Sequence, residues 1–203
     1  MVRKTVKYHA INVNKVTDVS FLSDRGNVFE ATFKEYGFSC QQVVPQAFGS
    51  PFCQPSKLFI VPSGFADPKY YKILPALKRN KDKIKKFIES GGVMLAFGAI
   101  VEDYEYTWLP MTLKYHMWFK PRHVSMVRPD SPAALLVGPG ERECDGFFTA
   151  HDGETVMAQD DGKAVLVYKK YGQGHIIASA LHVYPSQKFL EWACSKERKT
   201  IPI

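Results

Sequence analysis

A glycine pair, an apolar run and a second tight turn constrain the fold of this chain more than any other feature. Residues 91–99 read Gly-Gly-Val-Met-Leu-Ala-Phe-Gly-Ala. The central run is short and apolar throughout, which is typical of a parallel strand buried on both faces. The turn after such a strand is where many α/β enzymes present a nucleophile. Phe97 stands at that turn and has no nucleophilic atom, so the sequence predicts a catalytic scaffold without its expected chemistry.

The spacing of apolar residues predicts alternating strands and helices in the first half of the chain. The predicted strands cover residues 5–13, 39–44, 58–61, 93–97 and 175–180, with a loop after the first. The predicted helices lie around residues 29–36, from 67–68 onward to Pro75, and over 80–90 and 185–194. We expect the strands at 58–61, 93–97 and 175–180 to be adjacent, central and mostly parallel, because such runs need cover on both faces.

The second half of the chain changes character and predicts antiparallel strands. Short runs at 134–137, 147–149, 154–158 and 164–168 alternate with turn signals at Asp152-Gly153 and Asp161-Gly162. An aromatic-rich stretch over 104–119 precedes them. It is interpreted as core or as a subunit interface, since aromatic residues are enriched at interfaces. A homo-oligomer through this stretch is therefore one expectation.

Composition narrows the class of protein without naming its function. A chain of 203 residues with 45% hydrophobic residues fits a single domain. It has no apolar run near the roughly 18 residues of a membrane span, and its first residues lack the apolar core of a signal peptide. We expect a cytoplasmic protein that does not bind membranes.

Charge and cysteine usage indicate neither nucleic-acid binding nor a metal site. The net charge of +7 is diffuse, and its densest run, over 78–86, is interpreted as a solvated helix face rather than a nucleic-acid footprint. The four cysteines form no Cys-x-x-Cys pair and have no histidine at ligand spacing. No cofactor or metal is predicted.

Three turns bring the candidate site together. Pro62-Ser63-Gly64, Phe97-Gly98-Ala99 and Leu181-His182 each follow a predicted buried strand. Parallel strands end at one edge of their sheet, where α/β folds bind ligands. The candidate crevice residues are therefore Ser63, Gly64, Phe97, Gly98 and His182.

The order of these motifs resembles the class I glutamine amidotransferase-like superfamily. Residues 62–64 are similar to the family's oxyanion-hole turn, 97–99 to its nucleophile elbow, and 171–182 to its final strand and histidine. The resemblance implies a flavodoxin-like three-layer α/β sandwich with a mostly parallel central sheet. It further implies one glutamine amidotransferase-like domain over 1–203, with a β-rich insertion at about 104–170 and an antiparallel extension in the second half.

Departures from the family pattern argue against its activity. Phe97 stands where the family has its cysteine, and Val183 and Tyr184 stand where an acid follows the histidine. Glutamine hydrolysis needs an activated thiolate, so no catalytic residue is assigned. Cys144, beside Asp145, is a candidate replacement nucleophile, but its sequence neighbours supply no base.

Three functions remain open. The first is a non-catalytic domain that binds a small molecule or protein partner at the degenerate crevice. The second is a hydrolase of another class, in which His182 acts with a relocated nucleophile or water. The third is a structural subunit. A carboxylate or thiol within hydrogen-bond reach of His182 would favour the enzyme, and a crevice filled by aromatic residues would favour the structural subunit.

Overall fold

A computed structural model describes residues 17–26, 28–119, 123–138 and 143–203, which form a mixed α/β structure around one sheet. In these ranges the strands are β1 (Thr17–Leu22), β2 (Cys40–Val43), β3 (Ser56–Val61), β4 (Val93–Phe97), β5 (Asp103–Glu105), β6 (Leu113–Met117), β7 (Val124–Met126), β8 (Gly146–His151), β9 (Glu154–Gln159), β10 (Ala164–Tyr171) and β11 (Gly174–Ser179). The α-helices are α1 (Glu30–Glu35), α2 (Leu74–Arg79), α3 (Lys81–Glu89) and α4 (Gln187–Ala193), and a 3-10 helix covers Pro132–Leu136. None of the helices described is long and apolar enough to cross a membrane.

Five strands form the parallel half of the sheet, in the order β2-β1-β3-β4-β11. Leu95 of β4 lies opposite Ile60 of β3 on one side and Ile177 of β11 on the other. All three side chains are fully buried. The prediction that these three apolar runs are adjacent parallel strands is confirmed.

The other half of the sheet is antiparallel, so the prediction of a mostly parallel sheet is wrong. From β11 the sheet continues through β10, β8, β6 and β5, while β9 pairs with β10 and β7 with β9. All of these pairings are antiparallel. The antiparallel strands predicted in the second half are present, but they join the parallel strands in one continuous sheet and make up more than half of it.

Three local predictions are wrong and one lies outside the described residues. The predicted first strand, 5–13, falls in a part of the chain that the structure does not describe. Residues 17–22 fall in the predicted loop but form strand β1, in which the fully buried Ser20 interrupts the apolar run. The helix predicted from 67–68 is a series of turns, and Pro75 lies in the first turn of α2 instead of ending a helix. The run at 134–137, predicted as a strand, lies in the 3-10 helix that Pro132 begins, except for Val137, which follows the helix.

The aromatic stretch is largely core. Tyr106, Trp108 and Tyr115 are each 1% exposed. The rings of Tyr106 and Trp108 both lie 5.4 Å from the ring of Phe65, which follows β3. These side chains join the antiparallel half to the turn after β3, so they are not available to a second copy of the chain. Phe119, at 59% exposed, is available, and a homo-oligomer stays a prediction.

Candidate functional site

The carboxyl ends of three parallel strands meet as the sequence predicts, and a fourth segment enters between them. Ser63 follows β3, Gly98 follows β4, and His182 lies shortly after β11. Asp145 immediately precedes β8 and reaches all three. Its backbone amide donates to the carbonyl of Ala180, which fixes it beside the end of β11.

The carboxylate of Asp145 is the centre of a buried hydrogen-bond network. One of its oxygens, Oδ2, lies 2.8 Å from the Ser63 hydroxyl and 2.9 Å from Nε2 of His182. The other, Oδ1, lies 2.9 Å from the Tyr115 hydroxyl. The residue is 1% exposed. A buried carboxylate is tolerated where donors replace water, and three side chains supply them here. We call Asp145, Ser63, Tyr115 and His182 the carboxylate network.

Gly98 is needed because the carboxylate packs directly on it. A Cβ atom at this position would lie 2.4 Å from Oδ1 of Asp145, well inside van der Waals contact. The carbonyl of Gly98 accepts a hydrogen bond from the amide of Gly64 at 2.8 Å. That amide is therefore already used by the fold. The space between the ends of β3 and β4 is filled by protein groups.

His182 is the part of the network that reaches solvent. Its side chain is 39% exposed, whereas that of Asp145 is 1% exposed. The hydrogen bond that His182 donates to Asp145 raises the pKa of His182 above 6.5. Partial burial opposes this shift, and the charges of Asp145 and Glu143 add to it. Since Nε2 faces Asp145, the ring presents Nδ1 away from the carboxylate. That nitrogen donates when the ring is charged and accepts when it is neutral.

Two tyrosines hold the segment after β4 in place. The Tyr106 hydroxyl donates to the carbonyl of Phe97 at 3.0 Å. Burial and the nearby Asp145 charge raise the pKa values of both Tyr106 and Tyr115, so both phenols stay protonated donors. Ile100 has φ +50°, a conformation that is unusual for a β-branched residue. This backbone outlier shows that tertiary contacts dictate the path of the chain beyond β4.

The structure places each predicted site residue at this edge, with different roles. Ser63 and His182 contact the carboxylate, and Gly98 makes room for it. Phe97 is 3% exposed, and its ring lies 6.2 Å from the ring of Phe29, so it is packed rather than presented at a turn. Gly64 has φ +78° and shapes the turn after β3.

Asp145 is the residue of the candidate site whose place the sequence did not predict. No acid directly follows His182 in the sequence, where the family pattern has one. The carboxylate comes from the start of β8, 37 positions earlier. The sequence singles out this segment only for the thiol of the neighbouring Cys144. The position of the Asp145 carboxylate depends on the pairing of β8 with β6, which the sequence does not predict.

The network does not contain an activated nucleophile. The Ser63 hydroxyl lies against Asp145 and, at 3.4 Å, the carbonyl of Gly98, while His182 also faces Asp145. Serine and histidine thus share one carboxylate oxygen, whereas in a catalytic triad the histidine lies between the other two groups. The Cys144 thiol is buried beside the Gln159 amide, with Nε2 to Sγ 3.6 Å.

Comparisons with known proteins reach the fold and no further. No protein-family model matches this chain, and no curated protein does. Among solved structures, a glutamine amidotransferase from Thermotoga maritima is similar, with TM-score 0.50 and 12% identity over 82% of this chain and 76% of that one. A β-galactosidase from the haloarchaeon Halorubrum lacusprofundi is similar with TM-score 0.52 and 13% identity over 88% of this chain.

The chain spans less than a third of the β-galactosidases that it resembles. It covers 29% of the Halorubrum lacusprofundi enzyme and 30% of one from Bacillus circulans. At 12–13% identity these similarities support a related fold alone. They carry no activity, substrate or site residue to this protein.

Proposed function

We propose that this protein is a non-catalytic, glutamine amidotransferase-like domain that binds a small polar molecule or a protein partner at the His182 side of the carboxylate network. The order of its parallel strands, β2-β1-β3-β4-β11, is that of flavodoxin-like folds when these five are numbered along the chain. The similar Thermotoga maritima structure supports the same family of folds. A cytoplasmic location remains part of this proposal.

The observation that carries the proposal is the set of hydrogen bonds to Asp145. Its carboxylate takes hydrogen bonds from Ser63, Tyr115 and His182. These bonds stabilise a charge that is present in the resting protein, whereas a catalytic site directs its donors at charge that develops during the reaction. With Phe97 buried where a nucleophile would stand, the edge retains a shaped polar surface and lacks an attacking group.

A ligand reaches this edge through exposed side chains. His182 offers Nδ1, and Tyr184, two residues further on, is 59% exposed with its ring 5.3 Å from that of Phe29. Tyr70, 47% exposed, packs over Gly64. Exposed aromatic rings beside Gly64 and Phe29, together with the His182 imidazole, suit a small ligand that stacks and accepts or donates hydrogen bonds. The crevice floor is closed, so binding takes place at this rim.

One observation favours hydrolysis as a second candidate function. A carboxylate lies 2.9 Å from His182, as it does beside many catalytic histidines. In its neutral form, His182 with a hydrogen on Nε2 would present Nδ1 as a base toward solvent. That base would activate a water molecule, because no side-chain nucleophile lies in the network.

A pair of assays separates the two candidates. Purified protein is incubated with glutamine, with ammonia release measured, and with activated esters of a small carboxylic acid, with hydrolysis measured. The proposal predicts no turnover above that of His182→Ala in either assay. Turnover that is lost in both His182→Ala and Asp145→Asn would establish the hydrolase, and turnover lost in Cys144→Ala alone would establish a relocated thiol nucleophile.

Binding itself is tested by amide chemical shifts of labelled protein against a panel of amino acids, small sugars and dicarboxylic acids. The proposal predicts that at least one compound shifts the amides of Ser63, Gly98 and His182, and that His182→Ala weakens this binding. If His182→Ala costs much stability and no compound binds, the network is purely structural.

A further inference from the structure

A second polar cluster lies at the opposite end of β11. His175 is the second residue of that strand, and its Nδ1 lies 2.7 Å from the Tyr168 hydroxyl. Its ring lies 5.0 Å from the ring of Trp192 on α4. The guanidinium carbon of Arg198 lies 4.7 Å from the centre of the same tryptophan ring, and its Nε donates to the Trp192 carbonyl at 3.2 Å. We call these four residues the arginine cluster.

The arginine cluster carries excess positive charge. Lys170 lies directly opposite His175 in the β10–β11 pair, so both side chains project from the same face. Burial, with the charges of Arg198 and Lys170, lowers the pKa of His175 to about 4. Glu154, which pairs with Tyr168 from β9, is a carboxylate whose charge acts on Tyr168. Within the described ranges no carboxylate forms an ion pair with Arg198.

The guanidinium of Arg198 is held in place by Trp192. Stacking on the Trp192 ring and the hydrogen bond from Nε fix the plane of the guanidinium. Partial burial lowers the pKa of Arg198. Within the described ranges its two terminal nitrogens have no hydrogen-bond partner. A fixed guanidinium with free terminal donors matches the two oxygens of a carboxylate or phosphate. When Tyr168 donates to Nδ1, neutral His175 carries its hydrogen on Nε2 and supplies a further donor.

We propose that the arginine cluster and the neighbouring Lys170 bind an oxyanion, a phosphate or carboxylate group, between Arg198, Lys170 and His175. This site lies at the amino end of the parallel strands, whereas the carboxylate network lies at their carboxyl end. The two proposals therefore stand or fall separately.

Calorimetric titration with inorganic phosphate and, separately, with succinate tests the site at neutral pH and constant ionic strength. Wild type is expected to bind at least one of these anions. Arg198→Gln is expected to weaken binding by about tenfold or more, and Lys170→Gln by a smaller factor. Lys188→Gln removes the same charge from an exposed position on α4 and is expected to leave binding unchanged. Tighter binding of phosphate would indicate a phosphate-bearing ligand, and tighter binding of succinate would indicate a carboxylate.

A histidine titration supplies a readout that a loss of folding would not mimic. A bound anion favours the charged imidazole, so saturating anion should raise the pKa of His175 from its value of about 4. Arg198→Lys keeps the positive charge but loses the paired terminal nitrogens of the guanidinium. It should therefore bind the anion more weakly than wild type but more tightly than Arg198→Gln. The proposal is overturned if neither anion binds, if binding weakens equally in Lys188→Gln, or if the pKa of His175 does not move.

Discussion

Asp145→Asn removes the charge at the centre of the carboxylate network while keeping its shape. The carboxylate accepts from three side chains, Ser63, Tyr115 and His182. An amide has a single acceptor oxygen, so at least one of these donors would face an NH₂ group instead. A hydrogen bond to a charged group contributes about 1.5–3 kcal/mol. Breaking a buried charge pair costs about 3–5 kcal/mol. The cost is smaller here because His182, one member of the pair, is partly exposed to solvent. We expect a loss of about 3 kcal/mol in the free energy of unfolding.

Urea unfolding followed by circular dichroism measures this loss, and a matched variant controls for the chemistry of the substitution. Asp103→Asn breaks the same kind of aspartate–histidine pair, Oδ1 to Nδ1 of His116 at 3.0 Å, where the aspartate is 76% exposed. It should cost less than about 1 kcal/mol, since exposed pairs are screened by water. Equal effects of the two substitutions would refute the claim that burial makes Asp145 central.

The pH dependence of the same measurement isolates the histidine. The pKa of His182 is higher in the folded state than its unfolded value of 6.5. The pair with Asp145 therefore makes its full contribution to stability below pH 6.5, and this contribution is lost as the pH rises through the folded-state pKa. The difference between wild type and Asp145→Asn should therefore be larger just below pH 6.5 than well above it. A difference that grows with pH would contradict the assigned pair.

Three further substitutions probe the same edge of the sheet. Gly98→Ala should destabilise by about 2 kcal/mol in urea unfolding, because the new methyl would overlap the Asp145 carboxylate; Gly26→Ala, with open space around it, is the control and should not. Tyr115→Phe leaves Oδ1 without its side-chain donor and should cost about 1–3 kcal/mol by the same measurement. His182→Ala removes one donor of the buried Asp145 carboxylate and should cost about 1 kcal/mol in urea unfolding, less than Asp145→Asn, because its ring is partly exposed; a cost equal to that of Asp145→Asn would assign it a mainly structural role.

The parallel half of the sheet could be predicted from sequence because burial on both faces leaves a direct signature. Strands β3, β4 and β11 each contain a buried apolar run, at 58–61, 93–97 and 176–178, and the turns after them place Ser63 and His182 at one edge. Strand β1 lacks that signature, since Ser20 is buried with its hydroxyl accepting from the Gln41 side chain. At this buried position β1 therefore has a polar side chain that hydrogen-bonds to the neighbouring strand, so the apolar run that predicts a buried strand is interrupted.

The centre of the candidate site could not be predicted because it depends on long-range pairing. Asp145 lies beside β11 only because β8 joins the antiparallel strands that extend the sheet, and its amide bonds to the end of β11. In sequence it is one acidic residue in a polar loop. Only the steric demand at Gly98 leaves a local trace, as a glycine at the end of a buried strand.

The state of the His182 imidazole tests the carboxylate network most directly. Two-bond nitrogen–proton correlation spectra of ¹⁵N-labelled protein, recorded across pH, report the tautomer and the pKa of each histidine. We predict a pKa for His182 above 6.5, a neutral form with its hydrogen on Nε2, and loss of both features in Asp145→Asn. A pKa at or below 6.5 together with a hydrogen on Nδ1 in the neutral form would show that Asp145 does not hold His182.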